Sequence, residues 1–266
     1  MAKFGFIGIG NMGGAIAAAA VKAVDPGEIL VSAKNEAHAQ AFAAEHGVTA
    51  SDNERIAREA KFVVLGVKPQ FMGEVLGALK PILEVRTDAV LVTMAAGLTM
   101  GNISDMVGGG YPVIRIMPNT PARVGQGVIL YDANDRVRKE DLAEFLAAME
   151  PAGLLDPLPE RLIDAGSAVA GCGPAFACLF LEALADGGVA CGLPRAKATE
   201  YAAQMVLGTA KLLMESGEHP GALKDAVCSP GGSTIQGVRA LEDGGFRGTV
   251  MEAVIAAYEK SKEFSK

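Results

Sequence analysis

Short apolar runs alternate with helical patterns through the N-terminal part of the chain. The runs are hydrophobic at nearly every position, which is typical of strands that are buried on both faces of a sheet. This alternation predicts an α/β fold class, with an N-terminal Rossmann-type doubly wound sheet. The expected strands are 3–9, 28–32, 61–67, 89–94, 111–116 and 127–131, and the expected helices are 11–24, 36–46, 52–59, 69–84, 99–107 and 138–149.

The strand pattern ends at Pro157-Leu158-Pro159, and only helical patterns follow. Pro174, Pro194 and Pro220 each stand where one of these helices would begin, and proline is favoured in the first turn of a helix. We therefore predict a dinucleotide-binding domain at 1–157 and an all-α C-terminal domain, for substrate binding and dimerisation, at 158–266. Its expected helices are 160–168, 173–191, 195–217, 220–227, 232–243 and 247–263.

The composition narrows the classes of partner. The chain is acidic, with 24 Lys and Arg against 31 Asp and Glu, so nucleic acid is not an expected partner. Its four cysteines lack C-x-x-C spacing and its three histidines are scattered, so we expect neither a disulfide framework nor a metal site. Because Met1-Ala2-Lys3 leads directly into the first expected strand, we expect no signal peptide and a cytoplasmic location.

The chain is unusually hydrophobic for a soluble monomer, with a mean hydropathy of +0.27. Residues 172–192 are apolar enough to raise the question of a membrane span, but Glu182 and Asp186 interrupt them. We therefore expect no membrane association. The excess apolar surface predicts burial between the subunits of a homo-oligomer, at least a homodimer.

A glycine-rich loop follows the first expected strand. Gly8, Gly10 and Gly13 form a G-x-G-x-x-G sequence before the first helix. In dinucleotide-binding folds the first glycine makes a tight turn, the second lets the backbone approach the pyrophosphate, and the third brings the helix against the strand. The order of strand, loop and helix predicts that a dinucleotide binds here.

The end of the second expected strand bears on the choice of cofactor. An Asp or Glu at this place would bind the ribose hydroxyls of NAD, but the chain has Ser32, Ala33, Lys34 and Asn35. A hydroxyl and a lysine accept a 2′-phosphate that a carboxylate would repel. We expect NADP(H) as the cofactor, with NAD(H) used at lower efficiency.

Three other expected strands end in small or polar residues, at the edge where open α/β sheets bind ligands. Ala95 and Ala96 would allow the backbone close to a nicotinamide or ribose, and Asn119 is a polar corner between two prolines. Asn53 either caps the helix at 52–59 or reaches the ribose. Taken singly, each also fits an ordinary turn or a solvated side chain. The three loops are Lys68-Pro69-Gln70, Ala95-Ala96-Gly97 and Met117-Pro118-Asn119-Thr120-Pro121.

The segment 228–234, Cys-Ser-Pro-Gly-Gly-Ser-Thr, predicts a pocket for a carboxylate. Pro230 stops a helix, and Gly231 and Gly232 admit backbone angles closed to other residues, so successive N–H groups can turn toward one anion. The hydroxyls of Ser233 and Thr234 stand beside them. For this segment alone, a plain turn with a Ser or Thr N-cap is the alternative.

These motifs resemble pyrroline-5-carboxylate reductase across essentially the whole chain. The most specific match is Leu223 to Thr234, and the others are Phe6 to Gly13, Gly66 to Gln70, Met117 to Pro121, Gly171 to Phe176 and Glu182 to Gly188. The resemblance implies NAD(P)H-dependent reduction of L-1-pyrroline-5-carboxylate to L-proline. It also implies a homodimer with interleaved C-terminal helices, which often assembles into a ring of dimers.

Site residues follow from the resemblance and from the loops described above. Ala226 departs from those family members that carry a polar residue there, so only its backbone could contact a ligand. Thr234 is the candidate catalytic residue, at the ring nitrogen. The expected cofactor-binding residues are Ile7, Gly8, Ile9, Gly10, Asn11, Met12, Gly13, Ser32, Lys34, Asn53, Gly66, Val67, Lys68, Pro69, Met94, Ala95 and Ala96. The expected substrate-binding residues are Met117, Asn119, Glu160, Asp225, Ala226, Gly231, Gly232, Ser233 and Thr234.

Two other functions stay open at this point. A reductase of the same architecture acting on a β-hydroxy acid or another cyclic imine would normally carry a catalytic lysine on the helix at 173–191, which contains none. A nucleotide-sensing protein without catalysis would have the glycine loop but no reason to have the 228–234 pocket. Subunit number beyond a dimer, the proton donor and feedback by proline are also left open.

Overall fold

A computed structural model describes residues 2–86 and 88–263. The predicted domains 1–157 and 158–266 include five residues outside these ranges, namely Met1, residue 87 and residues 264–266. The chain forms two compact units. One contains the residues up to Cys172 together with those from Ala257 onward, and the other is Gly173–Ala256. The first holds a mostly parallel sheet covered by helices, and the second is helical. This confirms the predicted fold class.

All eight strands found in the described residues belong to one sheet. They are β1 Ala2–Ile7, β2 Ile29–Ser32, β3 Thr49–Ala50, β4 Ala60–Leu65, β5 Val90–Thr93, β6 Val113–Pro118, β7 Gly127–Ala133 and β8 Gly153–Pro157. The order across the sheet is β3-β2-β1-β4-β5-β6-β7-β8, and only the pair β6 and β7 is antiparallel. Because β1 lies between β2 and β4, the loops that follow these three strands meet at one edge.

The helices of the first unit connect the strands, and those of the second follow one another directly. The first set is α1 Asn11–Ala20, α2 Glu36–His46, α3 Asn53–Glu59, α4 Pro69–Leu83, α5 Met100–Met106, α6 Lys139–Met149 and α7 Glu160–Ala170. The remaining helices are α8 Gly173–Ala190, α9 Arg195–Ser216, α10 Pro220–Ala226, α11 Ser233–Asp243 and α12 Phe246–Glu263.

The sheet separates two hydrophobic cores, which explains why its strands are apolar at consecutive positions. Phe4 and Phe62 contribute to one core, with ring centroids 4.9 Å apart, whereas Val63 and Leu65 contribute to the other. Successive side chains of a strand point to opposite faces, so a strand covered on both sides needs hydrophobic residues at every position.

Two strands and several boundaries differ from the sequence prediction. β3 has only two residues and β8 is an edge strand with Leu154 56% exposed, so neither has a continuous apolar run. β6 runs to Pro118, which pairs with Ile129 of β7, so Met117 and Pro118 belong to the strand and not to a loop. α1 ends at Ala20, four residues before the predicted end at residue 24.

Helix α7 packs on the sheet, so the first compact unit extends past the predicted boundary at residue 157 to Cys172. Arg115 of β6 donates to Asp164 at 2.6 Å, and the side-chain amide of Asn119 donates to the carbonyl of Ala170 at 3.0 Å. Pro157 ends β8 and Pro159 is the N-cap of α7. These prolines therefore mark a turn from strand to helix within the first unit.

The second unit leaves many apolar side chains uncovered by its own chain. Glu160–Ala190, which comprises α7 of the first unit and α8 of the second, is long and apolar enough to cross a membrane by length and composition alone, and 11% of its most apolar window is buried. Leu179 of α8 is 66% exposed, and Leu212 and Met214 of α9 are 54% and 80% exposed. Exposure on this scale marks a surface that another molecule covers.

An ionic cluster joins α6 to the start of the sheet. The ammonium of Lys61 lies 2.7 Å from Asp141 and also pairs with Glu144, and Lys3 lies 3.0 Å from Glu144. Hydrogen bonds from Arg138 and Lys61 lower the pKa of Asp141. Burial alone would raise the pKa of Glu144, but hydrogen bonds from Lys61 and Lys3 lower it overall.

We expect Lys61→Met to lower the free energy of unfolding by about 1–2 kcal/mol at neutral pH, because it leaves charged carboxylates short of a partner. The folded pKa values of Asp141 and Glu144 are lowered. Their contribution is therefore complete above the ordinary carboxyl pKa of about 4 and is lost as the pH falls through the lower folded values. Urea unfolding at about pH 7 and about pH 3 should show the difference shrinking in acid. Lys61→Arg is the control that retains the charge, and an equal loss at both pH values would contradict the prediction.

Candidate active site

Three glycines bring the start of α1 against the ends of β1 and β4. Gly8 has a φ of +93°, a conformation that side chains rarely adopt. A β carbon at either Gly13 or Gly66 would lie 2.0 Å from the carbonyl oxygen of Gly8. Only glycine fits at these two positions, because any side chain would force the backbone segments apart.

The N-terminus of α1 faces open space. A β carbon at Gly10 would have no atom within 4 Å, and Gly10 is an N-cap without a side-chain hydrogen bond to the helix. The first backbone N–H groups of α1 are therefore not capped by a side chain, and the helix dipole adds positive potential there. These features fit the pyrophosphate of a dinucleotide.

A cavity of about 660 Å³ extends from this loop across the ends of β2 and β4. A wider cavity of about 1070 Å³ continues from it between α2, α3 and α4, and shares Ser32, Lys34 and Asn53. The predicted cofactor residues Asn11, Met12, Gly13, Pro69, Met94, Ala95 and Ala96 lie outside these linings, in α1, at the start of α4 and after β5. The predicted cofactor residues that line the smaller cavity are Ile7, Gly8, Ile9, Gly10, Ser32, Lys34, Asn53, Gly66, Val67 and Lys68.

Ser32 and Asn53 are joined at the end of β2. The buried hydroxyl of Ser32 donates to the side-chain oxygen of Asn53 at 2.6 Å. The N-cap of α3 is Asp52, whose carboxylate accepts from the backbone N–H of Arg55 at 2.7 Å. Asn53 therefore does not cap the helix, and its side-chain amide is turned toward the end of β2, at the cavity.

Glu160 is fixed at the start of α7 by its neighbours in the first unit. Its carboxylate accepts from the backbone N–H of Met100 at 2.7 Å and lies 3.5 Å from Arg115. Its own N–H donates to the carboxylate of Asp132 at 2.6 Å. The guanidinium of Arg115 contacts the carboxylates of both Glu160 and Asp164. Arg115 is only 2% exposed, and its Nε has no hydrogen-bond partner among the described residues.

The other two predicted substrate residues of the first unit are engaged by the chain itself. The side chain of Asn119 donates to Ala170 and accepts from the N–H of Val128 at 2.9 Å. Met117 is buried in a small cluster with Leu130 and Ile163. The side chain of Asn119 thus joins β7 to the end of α7.

The 228–234 segment belongs to the second unit and leads into α11. Gly231 has a φ of +69°, and a β carbon at Gly232 would lie 2.3 Å from the hydroxyl oxygen of Ser229. Gly232 is the N-cap of α11 and makes no side-chain cap, while Ser233 and Thr234 are exposed in the first turn. The backbone N–H of Gly232 donates to the carbonyl of Ser229 at 3.0 Å and is not available to a ligand. The N–H groups of the first turn of α11 and the hydroxyls of Ser233 and Thr234 remain as the donors that a carboxylate pocket requires.

Asp225 and Ala226 end the helix before this segment. The carboxylate of Asp225 pairs with Lys224, and this hydrogen bond raises the pKa of the lysine. Ala226 is exposed, and the backbone N–H of Cys228 donates to the carbonyl of Asp225 at 3.0 Å. The two residues lie two to three positions before the pocket segment, in the same unit.

Sequence reasoning missed several residues around the cavity and beneath the site. His38, Phe71 and Glu74 line the smaller cavity, and no motif marks them in the sequence. Arg115, which contacts Glu160, could have been identified from the sequence, because it is the only charged residue in the apolar strand Val113–Pro118.

Two family models match the chain. The model described as pyrroline-5-carboxylate reductase dimerisation matches residues 160–264, and the one described as NADP oxidoreductase coenzyme F420-dependent matches residues 3–97. The first model begins at α7, which packs on the sheet in this structure. The region matched by the dimerisation model thus begins close to the boundary predicted at residue 157, whereas the two compact units divide after Cys172.

Relatives and solved structures agree with these matches. Pyrroline-5-carboxylate reductase of Escherichia coli (strain K12) is 41% identical, over 99% of this chain and 98% of its own length. That of Pisum sativum is 42% identical, over 98% and 95%. The crystal structure of Plasmodium falciparum pyrroline carboxylate reductase with NADP bound has a TM-score of 0.90 at 33% identity, over 100% of this chain and 98% of that one. This chain belongs to the pyrroline-5-carboxylate reductase family.

Proposed function

We propose that this chain reduces L-1-pyrroline-5-carboxylate to L-proline, with NADPH as the preferred hydride donor. The observation that carries the proposal is the uncapped N-terminus of α11 behind Gly231 and Gly232, in a chain of this family. A dinucleotide-binding protein without catalysis has no use for a second anion site of this kind. The dinucleotide cavity of the first unit supplies the other half of the reaction.

The substrate makes modest chemical demands on the protein. A cyclic imine is basic enough to be partly protonated near neutral pH, and the iminium carbon is then electrophilic. NADPH, when bound, would supply the hydride that converts the iminium to the secondary amine of proline. The chain's own task is to hold the carboxylate and the ring in a reactive geometry.

We assign the substrate carboxylate to the first turn of α11. The N–H groups there are uncapped, and the helix dipole favours an anion at this end. The hydroxyl of Ser233 adds a donor, and that of Thr234 contacts the ring nitrogen in this proposal. Glu160, Asp225 and Ala226 are assigned to the rest of the site by their match to family positions. Arg115 keeps the carboxylate of Glu160 in one place.

Thr234→Ala should lower the turnover number tenfold or more, because a lost polar contact to a substrate costs on the order of 1–3 kcal/mol. NADPH affinity should stay nearly unchanged, since Thr234 belongs to the second unit and the dinucleotide cavity to the first. Steady-state kinetics and an NADPH titration measure the two effects. Thr234→Ser retains the hydroxyl and should keep most of the activity. Unchanged kinetics in Thr234→Ala would refute the assignment.

The preference for NADPH rests on the end of β2. Ser32 offers no carboxylate there, and its hydrogen bond to Asn53 turns the amide of Asn53 toward the ribose position. Lys34 lines the same cavity and supplies a positive charge for a 2′-phosphate. The carboxylates of Glu36 and Glu74 line the wider cavity and oppose that charge, which is consistent with some use of NADH.

Ser32→Asp should reduce kcat/KM for NADPH at least tenfold and reverse or flatten the preference over NADH. The new carboxylate would repel the 2′-phosphate from a buried position next to the ribose site. Ser32→Asn has the same shape without the charge and separates repulsion from steric disturbance. Kinetic constants with both cofactors provide the measurement. Equal use of NADPH and NADH by the unaltered enzyme would refute the interpretation that Ser32 and Lys34 select for NADPH.

We further propose a homodimer formed through the second unit, with assembly into a ring of dimers and a cytoplasmic location. The exposed apolar side chains of α8 and α9 support the dimer, since a second copy would remove them from water. Phe180 is less suitable than Leu179 as a probe of this surface, because its ring lies 5.9 Å from that of Phe246 within the same chain.

Leu179→Lys should weaken association and lower activity together, because the charge would have to be buried between subunits. Leu179 is 66% exposed in the single chain, so the substitution should leave the protomer folded. Val85→Lys makes the same kind of change at an 81% exposed position of the first unit and serves as the control. Light scattering at micromolar concentration, with activity measured in parallel, tests the coupling. A fully active monomer would contradict it.

The reaction itself is tested by following NADPH oxidation with different substrates. Pyrroline-5-carboxylate should be reduced efficiently, whereas β-hydroxy acids and larger cyclic imines should not. Turnover of a β-hydroxy acid in place of the imine would move the chain to another activity on the same architecture. NADPH binding without turnover of any of these compounds would favour a sensing role.

A further inference from the structure

Lys34 and Phe71 meet across the mouth of the dinucleotide cavity. Lys34 follows β2, and Phe71 is the third residue of α4, which follows β4. The ammonium nitrogen of Lys34 lies 5.7 Å from the centroid of the Phe71 ring. Both residues line the cavity of about 660 Å³, on opposite sides of the glycine loop that follows β1. The contact therefore joins two walls of one site.

The surroundings of Lys34 leave its charge available. Across residues 2–86 and 88–263, Lys34 has no carboxylate within ion-pair distance, and the Phe71 ring is its recorded partner. An aromatic face attracts an ammonium group without neutralising it, unlike a carboxylate. A lysine held this way keeps its charge for a phosphate, although the carboxylates of Glu36 and Glu74 in the cavity walls oppose it. It also loses less rotamer freedom when the phosphate binds.

Phe71 itself needs an explanation, because it is a large apolar side chain that is 43% exposed. The hydrophobic residues of α4 that serve the core, including Met72 and Leu76, are completely buried. Phe71 instead forms part of the wall of the smaller cavity. A smaller aliphatic residue would expose less apolar surface there, so the ring is explained by what it contacts in the cavity and not by packing.

We infer that Phe71 is a specificity-determining residue for NADPH, which acts by positioning the Lys34 ammonium for the 2′-phosphate. This inference rests on the cofactor choice made under the proposed function. It makes Phe71 a positioning residue and not a catalytic one, because it acts through Lys34. It also predicts that the effect of Phe71 is confined to nucleotides that carry a 2′-phosphate.

The test is equilibrium binding without substrate. Dissociation constants for NADPH and NADH are measured by nicotinamide fluorescence, and those for 2′-phospho-AMP and AMP by competition. Phe71→Leu should weaken NADPH and 2′-phospho-AMP about two- to fivefold, with NADH and AMP unchanged. Phe71→Tyr retains the ring and should bind like the unaltered protein. Val75→Ala alters the same cavity wall without touching the cation, and its ratio of NADPH to NADH affinity should not change.

Lys34→Met provides a second check through a double-mutant cycle. In that background, Phe71→Leu should have no further effect on NADPH affinity, because the group it positions is gone. Additive losses would overturn the inference. So would an equal loss for NADPH and NADH, which would mean that the ring contacts the part shared by both nucleotides.

The outcomes also distinguish this inference from the proposed function. If the unaltered protein binds NADPH no more tightly than NADH, the cofactor choice fails, and the inference falls with it. If the unaltered protein prefers NADPH and Phe71→Leu retains that preference, only the role of Phe71 is overturned. Retained NADH affinity in Phe71→Leu also shows that the variant is folded.

Discussion

The approach of three glycines to one another is the constraint on which the dinucleotide site depends. A β carbon at Gly13 or Gly66 would lie 2.0 Å from the carbonyl oxygen of Gly8, so β1, β4 and α1 come as close as backbone atoms allow. This closeness sets where α1 begins and leaves its N-terminus uncapped toward the cavity. Ser32 ends β2, and Phe71 lies in the first turn of α4, which follows β4; both strands pair directly with β1, so these two cavity walls are placed by the same contacts.

A buried cation has a comparable role at the other end of the first unit. Arg115 is the only charge in β6, and it reaches Glu160 and Asp164 on α7. Burying a guanidinium is costly unless carboxylates compensate it, so α7 is held on the sheet by the same contacts that orient Glu160. This explains why a helix that matches a dimerisation model belongs physically to the sheet unit.

The sequence was most informative where the backbone itself is constrained. Gly8 and Gly231 have positive φ values that few other residues adopt, and Gly13 leaves no room for a β carbon. Continuous apolar runs located six of the eight described strands. Side-chain neighbours across the sheet were not predictable. No local pattern indicates the hydrogen bonds of the Asn119 side chain to Ala170 and Val128. Phe71 was overlooked because nothing local marks an aromatic residue that lines a cavity. The prolines near residue 157 predicted a domain boundary and a helix from residue 160; the helix is present, but no local signal shows that it packs on the sheet.

In the proposed function, each unit would bind its anion mainly at a helix N-terminus and not through a dense cluster of basic residues. Gly10 precedes α1 and Gly232 precedes α11, and neither helix has a side-chain cap. A capping Ser, Thr, Asp or Asn would stabilise each helix by only about a few tenths of a kcal/mol relative to glycine, but it would occupy N–H groups that a ligand needs. Glycine at both N-caps therefore costs little helix stability and leaves these N–H groups available. This arrangement suits an acidic chain, because a helix N-terminus attracts an anion without basic side chains.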